Sequence, residues 1–122
     1  MEIVIVSPES RYRDNFLSML ESIVSPSSIK MVEVSSDVIK IANPADPAII
    51  FLDYRDPERI GEKSVSQLIM NKAVHYVVLL VSSNGPKSHF THFSTIELFF
   101  DEISINVLKN LLLNIQLKQK SN

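Results

Sequence analysis

The 122-residue chain contains no cysteine. That excludes disulfides, thiolate metal sites and a thiol nucleophile, and it suits a reducing, cytoplasmic setting. Glycine is nearly absent, with only Gly61 and Gly85, and neither GxGxxG nor GxxxxGK followed by a hydroxyl residue occurs. The nucleophile elbow GxSxG is missing as well, which removes the usual hydrolase signature. There is no basic excess: 12 basic against 14 acidic residues leave a net charge of −2, unlike the positive balance of a nucleic-acid-binding module. Long apolar runs are lacking too. The first one, Ile3–Val6, is too short for a signal peptide, and no stretch approaches a membrane span. No repeat or low-complexity segment interrupts the chain. With 45% apolar and 21% charged residues, the composition is that of one globular domain with a real core. We assign residues 1–118 to it and 119–122 to a polar tail or clipped linker.

What is present is an alternation of short apolar runs and helical patterns, the signature of an α/β fold with a parallel sheet. Strands are expected at Glu2–Val6, Ser28–Val34, Ala48–Leu52, His75–Val81 and Ile96–Phe100. After the first strand, Tyr12, Phe16, Leu20 and Ile23 fall at helical spacing, with Ser7 as N-cap and Pro8 at the first helical position. A short helix ends before Pro44 and Pro47, and another covers Ser64–Ala73. A final amphipathic helix buries Val107, Leu108, Leu111, Leu112 and Ile115. The reading is a doubly wound (βα)5 three-layer sandwich around a five-stranded parallel sheet, in which sites form at the carboxyl ends of the strands. There the sequence places Ser7 and Pro8, Asp53, Ser82 and Ser83, and Asp101 and Glu102.

With Asp53 ending a buried strand, Pro57 four and Gly61 eight residues on, and Ser82 ending the next strand, the chain resembles the receiver domain of two-component response regulators over essentially its whole length. The resemblance implies a flavodoxin-like, receiver-like fold, with Asp53 at the phosphoacceptor position and Ser82 at the hydroxyl position. Two features of that family are missing. Its acidic pair after the first strand, which helps hold Mg2+, is replaced by Ser7 and Pro8, and its lysine after the fifth strand by Asp101. No lysine or arginine occurs between Lys87 and Lys109.

Phosphoryl transfer onto a carboxylate brings two anions together, and a divalent cation normally offsets the repulsion. Asp53 alone is a thin magnesium site. A second carboxylate at about 4 Å would add about 4 kcal/mol of repulsion at an effective dielectric near 20. The chain is therefore expected to be an atypical, pseudo-receiver domain in phosphorelay signalling. It would act by protein contact, with no enzymatic activity, no cofactor, no nucleic acid and no membrane. Neutralising Asp53 should then relieve crowding without disturbing the fold. The alternative is a working Mg2+-dependent receiver, phosphorylated on Asp53 by a histidine kinase and catalysing its own phosphorylation and dephosphorylation, with Glu9 or Asp101 supplying a metal ligand.

Outside that corner, His89 and His92 could share a helix face as a metal pair, but no third ligand accompanies them, and solvated loop histidines are the commoner case. Strand alternation puts Phe99 and Phe100 on opposite faces, so both can be core. Phe90 and Phe93 lie in a segment of weak helix propensity and would be exposed. In the receiver family the fourth helix, fifth strand and fifth helix form the dimerising face. The resemblance makes Phe90, Phe93 and Phe99 candidates for contact with a signalling partner or a second copy.

Overall fold

The computed structural model describes residues 2–55, 62–82 and 95–120. Its strands are β1 (Ile3–Val6), β2 (Ile29–Val32), β3 (Ala48–Asp53), β4 (Val74–Val81) and β5 (Thr95–Phe99). They form one all-parallel sheet in the order β2-β1-β3-β4-β5. The helices are α1 (Arg11–Glu21), α2 (Val38–Ile41), α3 (Glu62–Met70) and α4 (Ile105–Lys120). The architecture is α/β.

The three central strands β1, β3 and β4 are almost wholly buried, which is why they read as unbroken Val/Ile/Leu runs rather than alternating ones. Alternation divides their side chains between two clusters. Ile3, Ile5, Ile49, Phe51, Val78 and Leu80 pack with Phe16 and Leu20 of α1 and with Leu108, Leu112 and Ile115 of α4. Val4, Val6, Ile50, Leu52, Val77 and Leu79 pack with Val38 of α2 and with Val65 and Leu68 of α3. Phe16 meets Phe51 edge-on with ring centroids 5.1 Å apart, an aromatic pairing that adds to the area both rings bury.

Several expected boundaries move. The first helix begins at Arg11 rather than Pro8: Ser10 is the N-cap, its hydroxyl accepting from the Arg13 N–H at 3.1 Å. Ser7 is unavailable for that task because its own N–H donates to the Val32 carbonyl at 3.0 Å and its hydroxyl turns inward. The third helix stops at Met70, where Asn71 closes the chain back on itself. The Asn71 side-chain oxygen accepts from the Ala73 N–H at 2.9 Å, an Asx-type turn that competes with helix continuation.

The fifth strand ends at Phe99, and Phe100 opens a one-turn 3-10 segment, Phe100–Glu102. As the last strand of the sheet, β5 leaves Glu97 and Phe99 exposed, Phe99 at 39%. The expectation that both phenylalanines are core holds in part for Phe100 alone, which packs half-buried against the α1/α4 cluster.

Candidate functional site

Register brings the site together. Val6 of β1 is paired with Leu52 of β3, so the next residues, Ser7 and Asp53, stand side by side at the carboxyl edge of the sheet. By alternation they fall on the face of Ile5 and Phe51, toward α1 and α4. Both are buried, Asp53 at 3% exposure and Ser7 at 4%. The Ser7 hydroxyl lies 3.0 Å from Asp53 Oδ2 and 3.1 Å from the Pro8 carbonyl oxygen, so its single proton is shared between two acceptors.

The main partner of the aspartate is a residue the sequence reading did not single out. Arg55 closes on Asp53 with its fork, Nε to Oδ1 at 3.0 Å and Nη2 to Oδ2 at 2.8 Å. The Arg55 backbone N–H adds a 3.3 Å bond to Oδ1. That last contact is the Asx turn expected of an ordinary aspartate at a strand end, and here it is what folds the arginine back over its neighbour. Each carboxylate oxygen thus accepts two hydrogen bonds, and the pair is bidentate, the strongest arrangement these groups make.

Burial pushes the Asp53 carboxyl up, but the Arg55 side-chain and backbone bonds, the guanidinium charge and the Ser7 hydroxyl together bring it below the usual carboxylate range. The bond to Asp53 in turn raises Arg55 above its ordinary value, against the opposing effect of its own burial. The guanidinium also makes cation–π contacts with two aromatic rings. Its central carbon lies 4.2 Å from the Tyr12 ring centroid and 4.6 Å from that of Phe100, and the two rings meet edge-on at 5.9 Å.

The expected crowding of carboxylates is therefore corrected. Asp101 is exposed on the 3-10 turn and is not among the groups that perturb Asp53, which among the described residues are Arg55 and Ser7. The charge facing Asp53 is positive, so neutralising the aspartate strands a cation instead of relieving an anion. Ser82 is half-buried just beyond β4 and does not bond the carboxylate. Pro8 contributes only its carbonyl, and Glu9 is exposed. Phe90, Phe93, His89, His92, Ser83, Pro57 and Gly61 lie outside the described residues.

The Asp53 carboxylate already accepts four bonds, two of its donors belong to a guanidinium, and Ser7 and Pro8 add no further charge. Among the described residues no group of three or more His, Asp or Glu is placed to hold a metal ion.

Arg55 lies past the end of β3, where the turn at Asp53 and not strand alternation decides which way a side chain points, so strand patterning does not reveal the contact. The available signal was chemical: a cation two positions after an aspartate that begins a turn. No described helix is long and apolar enough to cross a membrane. No protein-family profile, curated protein or solved structure matches the chain.

Proposed function

We propose that this chain is a receiver-like signalling module that acts through protein contact, with an internal Asp53–Arg55 ion pair standing where a phosphorylatable receiver would hold a metal ion and accept a phosphoryl group. The strand order β2-β1-β3-β4-β5 supports the doubly wound, flavodoxin-like form of the fold. So does the distribution of α1 and α4 to one cluster and α2 and α3 to the other. Asp53 and Ser7 sit where the strand order reverses, between β1 and β3.

The observation that carries the reading is the saturation of Asp53. A carboxylate oxygen attacks phosphorus with a lone pair. Here hydrogen bonds hold that lone-pair density, and the depressed pKa marks a weaker base and hence a weaker nucleophile. The Arg55 fork offsets the carboxylate charge without leaving room for phosphoryl oxygens on the same side. The partner is a signalling protein, and such contacts, not a metal-dependent phosphoryl switch, set the conformation of the domain.

The test is an amide NMR titration with magnesium to millimolar concentration, followed by beryllofluoride as a phosphoryl stand-in. A parallel incubation with acetyl phosphate is read by intact mass. The expected result is no saturable shift at Ser7, Asp53 or Ser82 and no phosphoryl adduct. Saturable shifts with an adduct that disappears in Asp53→Asn would replace this reading with the magnesium-dependent phosphoacceptor.

A further inference from the structure

Arg55 touches more than the aspartate. It stands between the Asp53 carboxylate and an aromatic pair from two separate elements, Tyr12 in the first turn of α1 and Phe100 at the turn from β5 into α4. Tyr12 is 58% exposed; core packing alone does not fix a ring so open to solvent. Its contacts are the guanidinium at 4.2 Å and the edge of Phe100 at 5.9 Å. The same two rings, with Asn15, Phe16, Met19 and Ile103, line a groove of about 150 Å³ between α1 and the turn into α4.

We infer that Arg55 is a positioning residue that couples the charge of Asp53 to the placement of Tyr12 and Phe100, and so to the shape of the groove on the α1/α4 side of the sheet. The guanidinium is planar, and the orientation that its two bonds to Asp53 fix is the one that places its central carbon over both rings. Take away the carboxylate charge and the fork loses its anchor. The long side chain regains rotamer freedom, and the cation–π contacts, which depend on the cation lying over the ring faces, are lost with it. The carboxylate is thereby read at a surface it does not itself reach, since Asp53 is buried and Tyr12 is not. Any event that neutralises or sequesters Asp53 acts on the groove through this one side chain, because it changes which Arg55 orientation is favoured. The inference goes beyond the receiver-like reading and does not need it: no phosphoryl chemistry enters.

The test is NMR on the full chain labelled at aromatic carbons and arginine nitrogens, comparing wild type with Asp53→Asn, Arg55→Lys, Arg55→Ala and the double variant Asp53→Asn/Arg55→Ala. In wild type the Arg55 Nε–H signal should be protected from exchange, and that protection should be lost in Asp53→Asn. The Tyr12 and Phe100 ring signals should move in Asp53→Asn by more than their line widths, while Tyr76, near the opposite end of the sheet, stays in place. They should move again in Arg55→Ala, and adding Asp53→Asn to that background should change them no further. Unmoved Tyr12 and Phe100 rings in Asp53→Asn would overturn the coupling. So would an Asp53→Asn effect that persists undiminished without Arg55. Arg55→Lys keeps the charge and lacks the planar fork, so it serves if Asp53→Asn does not fold. It should displace the two rings, and rings left at their wild-type positions in Arg55→Lys would refute the inference equally.

Discussion

The sheet carries an ion pair at each end, and on distance alone they look alike. At the amino edge Lys30 Nζ lies 2.9 Å from Glu2 Oε1; at the carboxyl edge Arg55 Nη2 lies 2.8 Å from Asp53 Oδ2. Their surroundings differ. The Lys30 and Glu2 side chains are 43% and 23% exposed, whereas those of Arg55 and Asp53 are 26% and 3% exposed. The first is a monodentate contact to a flexible ammonium that water can replace. The second is bidentate, supported by a hydroxyl and a backbone N–H, with its guanidinium carbon over two rings. A buried pair is costly to assemble, so it is weak evidence for stability as such, but breaking it from one side is strongly destabilising. The difference between the two ends is thus one of consequence: the amino-edge pair decorates the fold, and the carboxyl-edge pair is the chemical identity of the site.

The largest effect should come from breaking the buried pair, and it should be asymmetric. Arg55→Ala leaves a carboxylate at 3% exposure without its cation, and should cost about 3–5 kcal/mol at neutral pH. Asp53→Asn leaves a guanidinium that keeps partial access to water and to its two rings, so its cost should be smaller, about 2–3 kcal/mol on the same scale. The double variant removes both charges and should recover part of the Arg55→Ala loss. Urea unfolding followed by circular dichroism measures all three; equal costs for the two single changes would mean that burial does not distinguish the partners.

Acid should erase this difference. Asp53 is held below its ordinary pKa in the folded protein. Its contribution is therefore complete above the unfolded value of about 3.9 and is lost as pH falls through the lower folded value. In Arg55→Ala burial acts without the guanidinium to counter it, which puts the carboxyl above its ordinary value and reverses the sign. That variant regains stability relative to wild type as pH falls through the raised pKa. The gap between the two should be widest near pH 7 and narrow as pH falls through the carboxylate range. A gap independent of pH would show that the loss on removing Arg55 comes from its ring contacts and not from Asp53.

Much of this architecture is legible in the chain, and the places where it is not have physical causes. The strands β1, β3 and β4 are readable because both their faces are covered, so nearly every position is apolar. Asp53 and Ser7 could be located as strand-end residues, and parallel pairing of β1 with β3 then makes them neighbours. The start of α1 was misplaced because Ser7 and Ser10 both look like caps, and only the tertiary demand of a buried carboxylate decides which of them turns inward. The sign of the site's electrostatics was also misjudged. Counting charges by position put Asp101 beside Asp53, whereas the turn at Asp53 folds Arg55 onto it. Helical spacing places Tyr12 in the inner stripe of α1, yet it lies 58% exposed because the guanidinium and Phe100 offer its ring a place at the rim.

The smallest predicted effect completes the comparison. Lys30→Ala removes the amino-edge pair, in which the lysine is 43% exposed and the glutamate 23%. Water solvates the Glu2 charge left behind only in part, because its Oε2 is buried without a hydrogen-bond partner, while the freed strand position loses a long side chain that had to be held in one geometry. Exposed pairs contribute about 0.2–1 kcal/mol; this half-exposed one should lie at the upper end, with salt screening part of it. Lys30→Ala should therefore shift the urea midpoint only slightly at low ionic strength and less still at high salt. The Arg55→Ala deficit should persist in high salt, because a carboxylate at 3% exposure is shielded by protein and not by ions. If Lys30→Ala proved as damaging as Asp53→Asn and equally indifferent to salt, burial would not be what separates the two ends. The ring contacts of Arg55, which Lys30 lacks, would then have to carry the distinction alone.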